Sequence, residues 1–293
     1  MLAYDFMRRA LLAALLIGLA APAVGTFIVQ RRLALLGDGI GHIALTGVAL
    51  GLLTSTSPLL GAVIVSVLGA ICIELLRTRG RTGGDVALAL LFYGGLAGGV
   101  LVTNLAPGGS TASLLSYLFG SISSVSAPDL AVIAGLVLAV LAVLLLFGRE
   151  LFVLCQDEEV ARASGLRTSF LSMLLAVTAA LTIVVAMRVV GLLLVSALMV
   201  VPVAAAQQLT RGFRATVATA MVFGVLAAVG GLAGSYQFSV GEVNLSPGPA
   251  IVVVALALFV LASAAGFVSR RREPSATAGP VMSGGGPVRE EAP

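Results

Sequence analysis

Leu33-Ala34-Leu35-Leu36-Gly37-Asp38-Gly39-Ile40-Gly41-His42-Ile43-Ala44-Leu45-Thr46-Gly47-Val48-Ala49-Leu50-Gly51-Leu52-Leu53 is the stretch on which the reading turns. It is almost wholly apolar over about the 20 residues that a helix needs to cross a hydrocarbon core. Yet it carries a carboxylate and, four residues later, the only histidine of the 293-residue chain. A helix here puts Asp38 and His42 one turn apart on the same face. Ionisable side chains are expensive inside a bilayer, so the pair reads first as a functional site. A carboxylate and an imidazole are also ligand types that a divalent transition metal accepts. Plainer readings exist for the same residues. Asp38 also suits the first turn of a helix, where acidic groups are favoured, and His42 also suits a packed histidine bonded to a backbone carbonyl.

Composition fixes the solvent. The chain is 59% hydrophobic, with 10% charged residues and a mean hydropathy of +1.12, where soluble domains carry about 25% charged residues. An all-α polytopic membrane protein of about 8–9 transmembrane helices follows, with no large soluble domain. The net charge of +4 comes from seventeen arginines with no lysine. They cluster at the ends of apolar runs, as membrane orientation requires, so the basic pI does not argue for nucleic acid. Cys72 and Cys155 form neither a disulfide framework nor a CxxC metal clip.

Outward from the central stretch, the apolar runs punctuate themselves. Ala10–Val29 follows Arg8-Arg9 and contains Ala20-Ala21-Pro22-Ala23, which resembles a cleavage site, but the apolar run continues beyond it; it reads as a retained span bent near Pro22. Without that first span the count is eight. Pro58 opens a third run ending at Arg77, and Arg77, Arg79 and Arg81 mark a basic turn. Span four, from Asp85 to Val102, carries Gly94, Gly95, Gly98 and Gly99, a small-residue face that permits close helix approach. Leu114–Ile122 is too short to span and reads as a partial or interfacial helix. Pro128 and Asp129 start span five, which is expected to end at Phe147.

Arg149–Thr168 is the longest internal polar segment. Asp157 suits a helix N-cap and Gly165 a helix stop, so a short helix outside the membrane is expected there. Ser169–Met187, Val189–Leu209 with Pro202, Ala215–Leu232 and Ala250–Val268 complete the spans. Residues 1–269 read as one transmembrane domain, and 270–293 as a disordered cytoplasmic tail rich in Pro, Gly, Ser and Ala.

With nine spans, the loops at Arg31, Arg77, Arg149, Arg211 and Arg270 share one side, which then holds thirteen arginines. The positive-inside rule makes that side cytoplasmic. His42 is ten residues past Arg32, or about 15 Å at 1.5 Å per residue. In a core about 30 Å thick that depth is the midplane, with Asp38 one turn nearer the cytoplasm.

Three stretches resemble the membrane subunit of metal-ion ABC importers, the zinc/manganese/iron permease family. They are Arg31 to His42 followed by Gly47-Val48-Ala49-Leu50-Gly51; Asp157-Glu158-Glu159-Val160-Ala161-Arg162-Ala163-Ser164-Gly165-Leu166; and Arg188 to Ala206 around Pro202. Leu118-Phe119-Gly120-Ser121 is a weaker fourth. The likeness runs in order over roughly residues 10 to 269. Glu158 departs from the proline usual in the family's cytoplasmic loop, and Val203 from an alanine. The resemblance implies a homodimeric permease in the plasma membrane, in contact with lipid, docked to cytoplasmic ATP-binding subunits and fed by an extracellular solute-binding protein. It implies a transported divalent metal rather than a permanently bound cofactor. By the same likeness Asp157, Glu159, Ala161 and Gly165 belong to the helix that couples to the ATPase. The chain has no lysine and hence no phosphate-binding Gly-Lys-Ser/Thr loop. Other classes remain: a proton-coupled secondary transporter using Asp38 and His42 as a relay, or a permease for a chelated metal or vitamin. A membrane metalloprotease is disfavoured by the single histidine and the lack of His-Glu-x-x-His.

Overall fold

A computed structural model describes residues 5–78, 84–105, 117–120, 126–238 and 246–272. Among them the regular elements are helices: α1 (Asp5–Gln30), α2 (Leu36–Leu53), α3 (Pro58–Thr78), α4 (Gly84–Leu105), α5 (Ala127–Gln156), α6 (Glu158–Ala163), α7 (Thr168–Val189), α8 (Leu192–Leu209), α9 (Phe213–Phe238) and α10 (Pro247–Arg272). Eight are long and apolar enough to cross a membrane, and α8, also apolar, is 18 residues long, the same as α2. The chain is a multi-pass membrane protein of the expected class.

The interior is made by α1, α2 and α7, each with 72% of its span buried. α1 packs on α5, α7, α8 and α9, and α2 on α3, α4, α7 and α8. Lipid offers no hydrophobic drive between helices, so close backbone approach must supply the attraction. Gly47 and Gly61 provide it between α2 and α3: a Cβ on Gly47 would lie 2.4 Å from the Gly61 carbonyl oxygen. α1 runs unbroken through Pro22 as an interior helix, so the Ala20–Ala23 stretch belongs to the core.

Several expected boundaries shift: α9 runs on to Phe238 rather than Leu232, and α10 spans Pro247–Arg272 rather than Ala250–Val268, so residues 270–272 continue the helix and are not tail. Two further shifts have a clear physical reason. α5 does not end at Phe147 but continues to Gln156, because Leu151, Leu154 and Cys155, spaced as one helix face, are buried against Phe27, Leu171 and Leu175. The first half of the polar segment is therefore helix, not loop. Span seven does not begin at Val189. α7 carries Arg188 in its last turn, and Gly191, at φ +92°, turns the chain before α8 starts at Leu192. A side chain disfavours that left-handed backbone, and a Cβ there would also meet Phe119 and Gly120. Tyr117–Phe119 is helical; the rest of the expected Leu114–Ile122 helix lies outside the described residues. So do most of the basic turn around Arg79 and the tail after Arg272.

Candidate metal centre

The local sequence explains how α2 starts. Arg31 and Leu33 donate their amides back to the Phe27 and Ile28 carbonyls, and Leu36 to Leu33. This tight turn delivers the chain into α2 with Asp38 in its first turn. The Asp38 carboxylate accepts a hydrogen bond from the Ser196 hydroxyl of α8. Gly37 permits that approach, since a Cβ there would stand 3.3 Å from the Ser196 Cβ.

His42 lies one turn further along. Its ring meets Phe92 of α4 edge to face, with centroids 4.4 Å apart at 74°. Its Nδ1 is buried and has no hydrogen-bond partner among the described residues. A structural histidine satisfies its buried nitrogens, so the carbonyl-bonded reading of His42 finds no partner at Nδ1. α4 is held close here: a Cβ on Gly95 would come within 2.7 Å of the Ile43 amide nitrogen and 2.8 Å of the His42 carbonyl carbon. Thr46 Oγ1 donates to the Gly95 carbonyl at 2.7 Å and fixes the contact. Of the small-residue face expected on span four, Gly95, Gly98 and Gly99 touch α2, whereas a Cβ on Gly94 would meet nothing within 4 Å.

Asp38 and His42 are half-buried and share this enclosed helix. Among the described residues no group of three or more His, Cys, Asp and Glu side chains forms a complete cage. One chain offers an oxygen and a nitrogen ligand, half of a four-coordinate shell. Ser196 and Phe92 were not singled out from sequence. Ser196 carried a signal, as the one hydroxyl in a helix that is otherwise apolar up to Gln207; Phe92 carried none that separates it from other apolar residues.

The expected short helix is α6. Asp157 caps it, its Oδ1 accepting from the Glu159 amide at 2.7 Å and the Val160 amide at 3.2 Å. Gly165, at φ +80°, turns the chain after it. Asp157, Glu159 and Gly165 are exposed. Ala161 is not: it is fully buried among Phe27, Leu151, Leu154 and Leu171. Its small side chain seats α6 on the bundle and is not presented to a partner in this conformation.

Known proteins resemble the chain along most of its length. The model of a family described as the ABC 3 transport family matches residues 3–266. The manganese transport system membrane protein MntC of Halalkalibacterium halodurans is 35% identical over 263 residues, 89% of this chain and 88% of that protein. The high-affinity zinc uptake system membrane protein ZnuB of Haemophilus influenzae is 29% identical over 258 residues, 88% of this chain and 97% of that one. Among solved structures, PsaBC from Streptococcus pneumoniae in complex with Fab superposes with a TM-score of 0.79 at 31% identity, covering 89% of this chain and 91% of its own.

Proposed function

We propose an ion path from a settled premise: the chain belongs to the ABC 3 transport family. It is the membrane-spanning subunit of an ABC importer that moves a divalent transition metal, manganese, zinc or iron, into the cell across the plasma membrane. Residues 1–269 act as the permease domain. The arginine-rich end, where Arg31, Arg77 and Arg162 gather, faces the cytoplasm.

In this reading Asp38 and His42 are the transient resting point of the ion. The observation that carries it is the orphaned Nδ1 of His42, buried one turn from a carboxylate on the least apolar of the eight spanning helices. A buried nitrogen lone pair or N–H without a partner is costly unless something binds there. A two-fold homodimer brings two such half-shells to a common axis, and two-fold dimers are the commonest closed assembly. Water or other groups of the same subunit complete the shell otherwise. Oxygen and imidazole ligands without thiolate accept manganese, zinc and iron alike. The Ser196 hydroxyl, by bonding to Asp38, orients the carboxylate and moderates its hold. Moderate affinity is what conduction needs, since an ion bound too firmly does not leave.

The chain supplies no ATP chemistry. A cytoplasmic ATP-binding subunit hydrolyses ATP, an extracellular solute-binding protein delivers the metal, and lipid covers the outer helices. The metal is cargo, with no permanent cofactor. Asp157, Glu159 and Gly165 form the exposed face through which α6 meets the ATPase, with Ala161 holding the helix in place. Reconstituting the chain with its ATP-binding partner in vesicles and measuring uptake of manganese and zinc tests this. Asp38→Ala and His42→Ala each abolish uptake while the complex still assembles; unchanged uptake by both rejects the site.

A further inference from the structure

Three elements meet at one guanidinium at the arginine-rich end of the bundle. Arg31 closes the turn between α1 and α2, and its side chain is only 7% exposed. Its Nη2 donates to Glu158 Oε2 of α6 at 2.9 Å, and its Nη1 to Ser172 Oγ of α7 at 2.7 Å. The second oxygen of Glu158 pairs with Arg162 of the same helix at 3.4 Å. Arg77 and Glu74 of α3, themselves paired at 3.0 Å, lie near enough to act on Arg31 through space. Ser172 is buried. Glu158 is the residue at which the α6 stretch departs from the resemblance drawn from sequence.

We infer that Arg31 is the positioning residue that transmits movement of α6 to the metal-binding helix, with Glu158 as its grip on α6. The inference rests on the reading of α6 as the ATPase contact and of α2 as the ion's helix. Asp38 is seven residues beyond Arg31, and the turn between them is cross-tied by the backbone bonds of Arg31, Leu33 and Leu36. There is no slack loop in which a displacement could be lost. Arg32, a non-glycine residue at φ +57°, shows how tightly this turn is wound. Below it, Ala161 seats α6 against Phe27 at the end of α1, so the apolar contact and the ion pair hold the same two elements. A planar guanidinium that satisfies two acceptors at once fixes both direction and distance, which an ammonium does not. Burial of the Arg31 half leaves the pair less screened than one exposed on both sides, although Glu158 still meets water.

The test uses the chain with its ATP-binding subunit in vesicles and reads manganese uptake, ATP hydrolysis and equilibrium manganese binding in parallel. Arg31→Gln lowers manganese moved per ATP hydrolysed by about tenfold or more, the scale of a substantial coupling free energy, with manganese binding held within about twofold. Arg31→Lys, which keeps the charge, recovers part of that ratio. Glu158→Ala has the same effect as Arg31→Gln, and the double variant is no worse than either, because both changes cut one link. A wild-type ratio in Arg31→Gln, no recovery in Arg31→Lys, or effects that multiply in the double variant overturns the inference. Should Arg31→Gln fail to assemble, Glu158→Ala alone decides, since Glu158 is 42% exposed and its loss leaves no hole in the core. Asp38→Ala run alongside separates the two levels: if it binds and moves manganese normally, the proposed ion path is wrong, whatever Arg31 does.

Discussion

α2 and α5 invert the rule by which soluble proteins are read. α5 is the most apolar of the spanning helices, yet only 17% of its span is buried; α2 is the least apolar, and 72% of it is buried. In water the greasy helix goes inside. In lipid the acyl chains are as apolar as leucine, so hydropathy says nothing about which helix is central. What centres α2 is its glycines, Gly37, Gly41 and Gly47, which bring α8 and α3 close. Its polar pair adds to this, since it is tolerable only away from the acyl chains. The same two features that bury α2 are those on which the proposed ion site rests.

The largest expected effect sets this inversion against itself. Gly95→Leu puts a side chain where a Cβ alone would lie 2.7 Å from the backbone of α2. Overpacking of this kind costs about 3 kcal/mol or more, and the purified chain in detergent then melts many degrees earlier or is not recovered. Gly135→Leu on α5, where a Cβ meets nothing within 4 Å, shifts the melting by no more than about 0.5 kcal/mol. Equal effects at the two sites remove the distinction between the helices.

A smaller effect is expected at Ser196. Ser196→Ala leaves the Asp38 carboxylate without its partner from α8, a loss worth about 1–3 kcal/mol for a half-buried charged acceptor. Released from the hydroxyl, Asp38 holds the ion more tightly and less uniformly. Manganese binding to the complex then strengthens while uptake slows. If both fall together, Ser196 is a ligand in its own right rather than a restraint on Asp38.

Much of this was legible from the residues. Asp38 and His42 stood out because charge and imidazole are rare in an apolar run. The α6 helix stood out because Asp157 and Gly165 have cap and stop chemistry, and both act so here. The glycine face of span four pointed to close packing, and it packs on α2. What escaped had physical reasons. The end of α5 was hidden because Arg149 and Glu150 look like a loop, while the burial that extends the helix to Gln156 comes from Phe27 and α7, far away in sequence. The start of α8 was hidden because Val190 and Gly191 read as apolar, and only the packing against Phe119 and Gly120 demands the turn. Ala161 resembled a contact residue, but alanine in a six-residue helix also serves as the point of closest approach, and the three-dimensional seat decides between the two. Partners brought by tertiary contact, such as Ser196 for Asp38 and Phe92 for His42, leave no mark in local spacing.

The smallest effect is the sharpest measure of the outer face. Leu145, on α5, is 86% exposed. In a water-soluble bundle, truncating such a leucine changes little because the residue was already in solvent. In lipid it changes little for a different reason: acyl chains fill the space, so no cavity forms and no transfer term is lost. Leu145→Ala is therefore expected to alter melting by less than about 0.5 kcal/mol and to leave metal uptake unchanged. Ile40→Ala on α2, fully buried, costs about 2–5 kcal/mol by the same truncation. A large loss at Leu145 in the assembled complex but not in the isolated chain means that a second copy, not lipid, covers α5, and the two-fold axis then lies on that side of the bundle.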